Sequence, residues 1–154
     1  MEYVTLSNGV RMPMLGFGVF QIPDHEEAKR AVRTALDAGY RLIDTAQAYG
    51  NEHAVGEAVR ESGIPREEVF ITSKIWLSDF SFEGAQAATE RTLERLGSEY
   101  VDLMLLHQPM GDYIGAWRGL EKMLAAGKVR AIGMANCYPH VLADLCETVA
   151  VRPM

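Results

Sequence analysis

Residues 69–107 read VFITSKIWLSDFSFEGAQAATERTLERLGSEYVDLMLLH. Val69–Ser73 is short and apolar, the composition of a buried strand. Ser81 is a helix N-cap, because its hydroxyl can accept from an orphan backbone N–H one turn on. The helix it opens runs to about Leu96, and Gly97 stops it with a left-handed residue. Val101–Leu106 is a second strand, with no polar alternation past Asp102. Two strands buried on both faces and joined through a helix form a parallel β-α-β unit.

The same unit repeats on either side. Tyr3–Leu6 and Val10–Met12 flank Ser7-Asn8-Gly9 and predict a hairpin, since Asn-Gly accepts positive φ at both residues. Leu15–Phe20, with Gly16 and Gly18 inside it, predicts a first parallel strand. Asp24 caps the next helix and Glu27 completes a capping box. Ala28, Ala31, Val32, Ala35 and Leu36 share one face, and Gly39 ends it. Leu42–Thr45 is a strand, followed by a helix capped by Asn51 that carries Val55, Ala58 and Val59 and ends at Gly63. After Leu106 comes a helix with Trp117, Leu120, Met123 and Leu124 on one face, closed by Gly127. Ala131–Ala135 is a strand, and Pro139 opens a helix running to about Val149. A sixth strand would begin near Val151-Arg152-Pro153-Met154. Residues 1–154 therefore read as one α/β domain with helices outside a parallel sheet. Periodicity alone leaves a barrel and an open doubly wound sheet both standing.

Composition narrows the function classes. The chain has 154 residues, 48% hydrophobic and 23% charged, with a net charge of −6. This acidic balance disfavours nucleic acid and anionic membranes as partners. No apolar run approaches the roughly 20 residues that span a bilayer. The N-terminus lacks the pattern of a signal peptide. The two cysteines, Cys137 and Cys146, are too few for a secreted disulfide scaffold, so reduced thiols in a cytoplasm are expected. Cys137 and His140 have C-x-x-H spacing, but a closed zinc site needs four ligands and no fourth is evident there, so no metal is expected.

Polar residues fall where parallel α/β folds place their chemistry, at the C-terminal ends of strands. Asp44, Lys74 and His107 end three consecutive strands; Tyr49 lies in the loop after the first of them. Singly, each has an ordinary explanation: a turn cap, a surfacing lysine, a loop tyrosine, a satisfied core histidine. Together they suit one task. A tyrosine hydroxyl is a weak acid at neutral pH, and a lysine ammonium beside it stabilises phenolate. A carboxylate fixes the lysine, and a histidine can orient a substrate carbonyl. Such a site can protonate an aldehyde or ketone oxygen while hydride reaches carbon. No side chain supplies hydride, so a nicotinamide or similar cofactor is required.

The stretch Asp44–Glu52, D-T-A-x-x-Y-G-N-E, together with GFGVFQI, VFITSKIW, YVDLMLLHQP and AWRGLEKMLAAGKVRAIGMANCY, resembles the aldo-keto reductases over essentially the whole chain. LLHQP and GDYIGAW look most like bacterial members related to 2,5-diketo-D-gluconate reductases and prostaglandin F synthases. The resemblance implies a (β/α)8 TIM-barrel fold, here incomplete: an N-terminal hairpin and about five β/α units. It implies a catalytic tetrad of Tyr49 as general acid, Lys74 assisting it, Asp44 paired with Lys74, and His107 orienting substrate. It implies NADPH as cofactor, held without a Rossmann motif, with Gly18, Val19, Asp44 and Asn136 on the cofactor side. Phe20 and Trp76, with His107, would line the substrate pocket, whereas Trp117 reads as packing. The implied reaction is NADPH-dependent reduction of small aldehydes or ketones to alcohols.

Two features depart from the family pattern. Ala135-Asn136 stands where the family usually has Ser-Asn against the nicotinamide carboxamide. One lost hydrogen bond there costs on the order of 1 kcal/mol. The other departure is length, because such barrels typically run to ~250 residues. One reading is the front portion of a full-length, monomeric enzyme. Another is a truncated non-catalytic paralogue or interaction module that keeps the tetrad by descent and self-associates through open sheet edges. A third completes the site by oligomerisation, although five strands per chain do not sum to eight. The 154 residues alone are expected to hold NADPH weakly.

Overall fold

The computed structural model describes residues 1–154. A two-stranded antiparallel hairpin, β1 (Tyr3–Thr5) and β2 (Arg11–Pro13), precedes the main sheet. The chain then alternates β3 (Phe17–Gly18), α1 (His25–Asp37), β4 (Leu42–Asp44), α2 (Glu52–Glu61), β5 (Phe70–Ile75) and α3 (Phe82–Leu96). It continues through β6 (Leu103–Leu106), α4 (Tyr113–Ala125), β7 (Ile132–Met134) and α5 (Pro139–Thr148). The five-stranded sheet is parallel throughout, and its spatial order β3-β4-β5-β6-β7 is the order of the chain. A doubly wound sheet reverses direction at a switch point; this one never does, which leaves the barrel arrangement. Past β7, Met154 N–H donates to the Ile132 carbonyl at 3.1 Å, where a sixth strand was expected.

Period-two alternation divides the strand residues between two cores. Ile43, Ile71, Ile75, Met104, Leu106 and Ile132 point outward and pack with the helices in a 25-residue cluster. Trp117 belongs to it, fully buried, with its indole N–H on the Val151 carbonyl at 2.9 Å. Leu42, Phe70, Leu103 and Ala131 point to the concave side. Leu6, Val10 and Met12 from the hairpin pack against them. The hairpin thus closes the N-terminal end of the strands.

Several local expectations need correction. In the hairpin only Gly9 takes positive φ, at 87°. Asn8 instead uses its side chain to accept from Val10 N–H at 3.1 Å and donate to the Arg130 carbonyl at 2.8 Å. The first parallel strand is two residues rather than six, because the chain turns away at Gln21, whose φ is +62°. Asp24 caps α1 through Glu27 N–H at 2.8 Å, while the return bond of a capping box is not made. Ser81 caps α3 as expected. Asn51 sits at the α2 N-cap position but makes no cap bond, since its side chain is used elsewhere.

Two buried features hold the units together. Asp102, at the N-terminal end of β6, is 1% exposed and receives Arg66 at 2.8 Å, Arg130 at 2.9 Å and Ile71 N–H at 3.0 Å. Gly56 lets α2 lie against the end of α3, where a Cβ would collide with the Leu96 carbonyl. Gly56→Ala should therefore destabilise by about 1–3 kcal/mol, although alanine is the better helix former. Asp102→Ala should cost about 2–3 kcal/mol, because two arginines and a buried N–H lose their acceptor. Urea denaturation followed by circular dichroism checks both; unchanged midpoints would refute this packing account.

Candidate active site

Asp44, Lys74 and His107 lie on the concave side because each is an even number of residues from an inward-facing apolar one: Leu42, Phe70 and Leu103. Parallel register pairs Asp44 with Thr72 and Lys74 with Leu105. Lys74 thus stands one pleat above Asp44's partner and can reach back across β4.

Lys74 is 8% exposed, and its ammonium has a full set of acceptors. It donates to Asp44 Oδ1 at 2.8 Å and Oδ2 at 2.7 Å, and to the Thr45 carbonyl at 2.9 Å. Tyr49 Oη lies 3.4 Å from Nζ. The ammonium also sits 4.9 Å from the Tyr49 ring centre. Asp44, Tyr49 and Lys74 are brought into direct contact.

His107 joins them through its ring. It meets Tyr49 edge to face at 5.7 Å between centres and Trp76 likewise at 5.0 Å. Burial, and then the Lys74 charge, hold its pKa below the ordinary 6.5, so it is a neutral imidazole at pH 7. Its Nδ1 is buried without a hydrogen-bond partner. An unpaired buried polar atom costs about 1–3 kcal/mol.

Phe20 and Trp76 edge the tetrad as apolar walls. Phe20 is 64% exposed and lies 5.0 Å from the Tyr49 ring; Trp76 is 38% exposed. Gly18 pairs with Asp44 across β3 and β4, and a Cβ on it would come within 3.9 Å of Asp44 Oδ2. Asn136, in left-handed backbone with φ of 53°, donates from Nδ2 to the His107 carbonyl at 2.9 Å. Val19 is placed differently. Its side chain is fully buried, its N–H donates to the Asp44 carbonyl, and its own carbonyl accepts from Asn51. It supports the cleft floor and offers no free polar group.

Sequence reading missed the residues that hold Tyr49. The tyrosine ends a 3-10 turn, Gln47–Tyr49, closed by Gly50 at φ of +71°. Gln47 braces the turn, donating to the Ala88 carbonyl and Thr92 and accepting from Trp76 N–H. Asn51 is buried and donates to the carbonyls of Val19 and Ile22 while accepting from Thr45. Glu52 is 1% exposed and accepts from Ser73, Thr92 and Arg95. The signal was present: two polar residues directly after Tyr49 and Gly50, on a helix whose next turns are apolar.

A cavity of about 510 Å³ lies at the other end of the strands under the hairpin, lined by Tyr3, Arg11, Arg41, Asp102 and Arg130 among others. None of the tetrad lines it, and only Asp102 and Arg130 of its charged lining belong to the Asp102 clamp.

The Aldo/keto reductase family matches residues 14–153. The 9,11-endoperoxide prostaglandin H2 reductase of Trypanosoma cruzi is 51% identical over 152 residues, which cover 98% of this chain and 54% of that protein. Glyoxal reductase of Bacillus subtilis is 48% identical over 154 residues, covering 99% and 56% respectively. A Brucella melitensis aldo/keto reductase structure superposes with a TM-score of 0.96 at 42% identity, covering 99% of this chain and 60% of that one. A Bombyx mori aldo-keto reductase in complex with NADP gives 0.94 at 30% identity, covering 99% and 56%. The chain thus spans a little over half the length of these relatives. With a sequential parallel sheet, a tetrad at its C-terminal edge and a family match across nearly all its residues, this chain belongs to the aldo/keto reductase family.

Proposed function

We propose that these residues form the proton-donating part of an NADPH-dependent carbonyl reductase acting on small aldehydes or ketones. The observation that carries this reading is the Lys74 ammonium, fixed on both Asp44 oxygens and 3.4 Å from Tyr49 Oη. A phenol next to an immobilised ammonium can release its proton to a carbonyl oxygen, because the ammonium stabilises the phenolate left behind. Asp44 keeps Lys74 charged and aimed. Neutral His107, held edge-on to Tyr49, orients the substrate oxygen toward the hydroxyl. Phe20 and Trp76 present apolar surface to the rest of the substrate.

Two family relatives, named as a glyoxal reductase and a prostaglandin H2 reductase, and a structural neighbour crystallised with NADP support the reading. The cofactor supplies hydride to the carbonyl carbon when bound. The residues present fit its reacting end: the backbone at Gly18 is open beside Asp44, and Asn136 stands beside His107. Val19 acts there only by holding the backbone beneath. Ala135, in place of serine, offers no hydroxyl to the carboxamide.

Aldehyde-dependent oxidation of NADPH, with a parallel fluorescence titration of cofactor binding, tests the proposal. Tyr49→Phe should lower kcat by about 10²–10⁴-fold with cofactor affinity nearly unchanged. Absence of saturable NADPH binding at high micromolar concentrations would overturn it in favour of a non-catalytic module. A second measurement concerns His107. Its proton should come off with a midpoint below 6.5 in an NMR titration. Because the folded-state pKa is the lower one, unfolded chain binds that proton first as pH falls. The contribution of His107 to stability is therefore whole above pH 6.5 and is lost on acidification below it. A midpoint at or above 6.5 would contradict the burial argument.

A further inference from the structure

We infer that His25, His53 and Glu57 form a surface site for a divalent transition-metal ion of the zinc class. His25 is the first residue of α1, His53 the second of α2, and Glu57 stands one helical turn beyond His53. The packing of α1 beside α2 brings them together. Glu57 Oε2 is 2.9 Å from His25 Nε2, and Glu57 Oε1 is 3.6 Å from His53 Nδ1. The two imidazole rings are 5.3 Å apart, and one ligand atom from each residue lies within 4.8 Å of the other two.

Zinc ligands at about 2.0–2.1 Å in a tetrahedron stand roughly 3.4 Å from one another. Each histidine stands near a different oxygen of Glu57, at 2.9 and 3.6 Å, so the carboxylate must turn and the histidines close for one oxygen or both to share an ion with them. Both histidines are free to do so, being 42% and 60% exposed at the side chain. Two imidazoles and one carboxylate, with a remaining position for water, suit zinc, cobalt, nickel or copper rather than magnesium or calcium, which prefer all-oxygen sets.

The competing arrangement is an ion-pair cluster. Lys29 Nζ lies 3.2 Å from Glu57 Oε2, but it is also 2.7 Å from Glu61 Oε1 and keeps that partner if Glu57 turns to a metal. The N-terminal dipoles of α1 and α2 oppose a cation here, and the Glu57 charge offsets them. An ion pair needs one histidine. His53 meets Glu57 one turn away on α2 while His25 reaches the same carboxylate from α1, so two imidazoles and a carboxylate converge within 4.8 Å.

The test is competition for Zn²⁺ between the intact chain and a chromophoric chelator at neutral pH. Saturation at a single Zn²⁺ per chain is expected. His25→Ala and His53→Ala should each weaken binding by about tenfold or more, and Lys29→Ala should tighten it. Zn²⁺ should also raise the thermal midpoint of the wild type and leave that of the H25A/H53A double variant unmoved. Neither histidine belongs to the buried core, so these variants keep the fold. The proposal is overturned by no saturable binding, or by binding that survives in the double variant and is lost in Cys137→Ser, which would place the ion on the thiols near α5.

Discussion

A lysine ammonium in a nearly dry position is the constraint around which the upper end of this sheet is arranged. Moving an ion of that size out of water costs several kcal/mol unless charge and hydrogen bonds replace the lost hydration. Asp44 supplies both oxygens, and the Thr45 carbonyl supplies a third acceptor. That set exists only because β4 and β5 run parallel in the register that seats Asp44 beside Thr72. A one-residue slip would turn Lys74 into the helix-facing core. The pair thus specifies register.

A second layer of polar groups keeps the first in place. Asn51 ties the turn carrying Phe20 to the end of β4, and Glu52 ties the start of α2 to β5 and α3. Tyr49 lies between these anchors and the Gln47 brace, in a turn that would otherwise be an ordinary mobile loop. Its hydroxyl is consequently delivered by three strand–helix units at once. Networks of this kind rigidify when every member is satisfied, and Asn51 and Glu52 are fully engaged.

Much of this was legible from residue order. Strand ends at Asp44, Lys74 and His107 followed from apolar runs that stop at a polar residue, and the caps at Asp24 and Ser81 from local chemistry. What was not legible depends on distant partners. Asn51 reads as a cap because capping is a local rule, yet the Val19 and Ile22 carbonyls, some thirty residues away, claim its side chain. Asn8-Gly9 reads as a turn with positive φ at both residues, but only Gly9 adopts it and the Asn8 amide donates to the Arg130 carbonyl. The first parallel strand looked longer because alternation says nothing of a turn forced at Gln21. Val19 was grouped with cofactor contacts by its place in a motif, and only packing shows it facing the core. Periodicity could not decide between barrel and open sheet; spatial strand order did.

That strand order also bears on how the molecule is made. Each strand adds beside the one synthesised just before it, so every pairing in the sheet spans a single strand–helix–strand step. Each parallel pairing must wait for its crossover helix, which makes the step slow, but the steps can be taken in order from the N-terminus as domains form during synthesis. The Asp44–Lys74 pair can close once β5 has docked, before β6 brings His107 alongside. Strand order alone thus lets the site residues enter the sheet in the sequence Asp44, Lys74, His107.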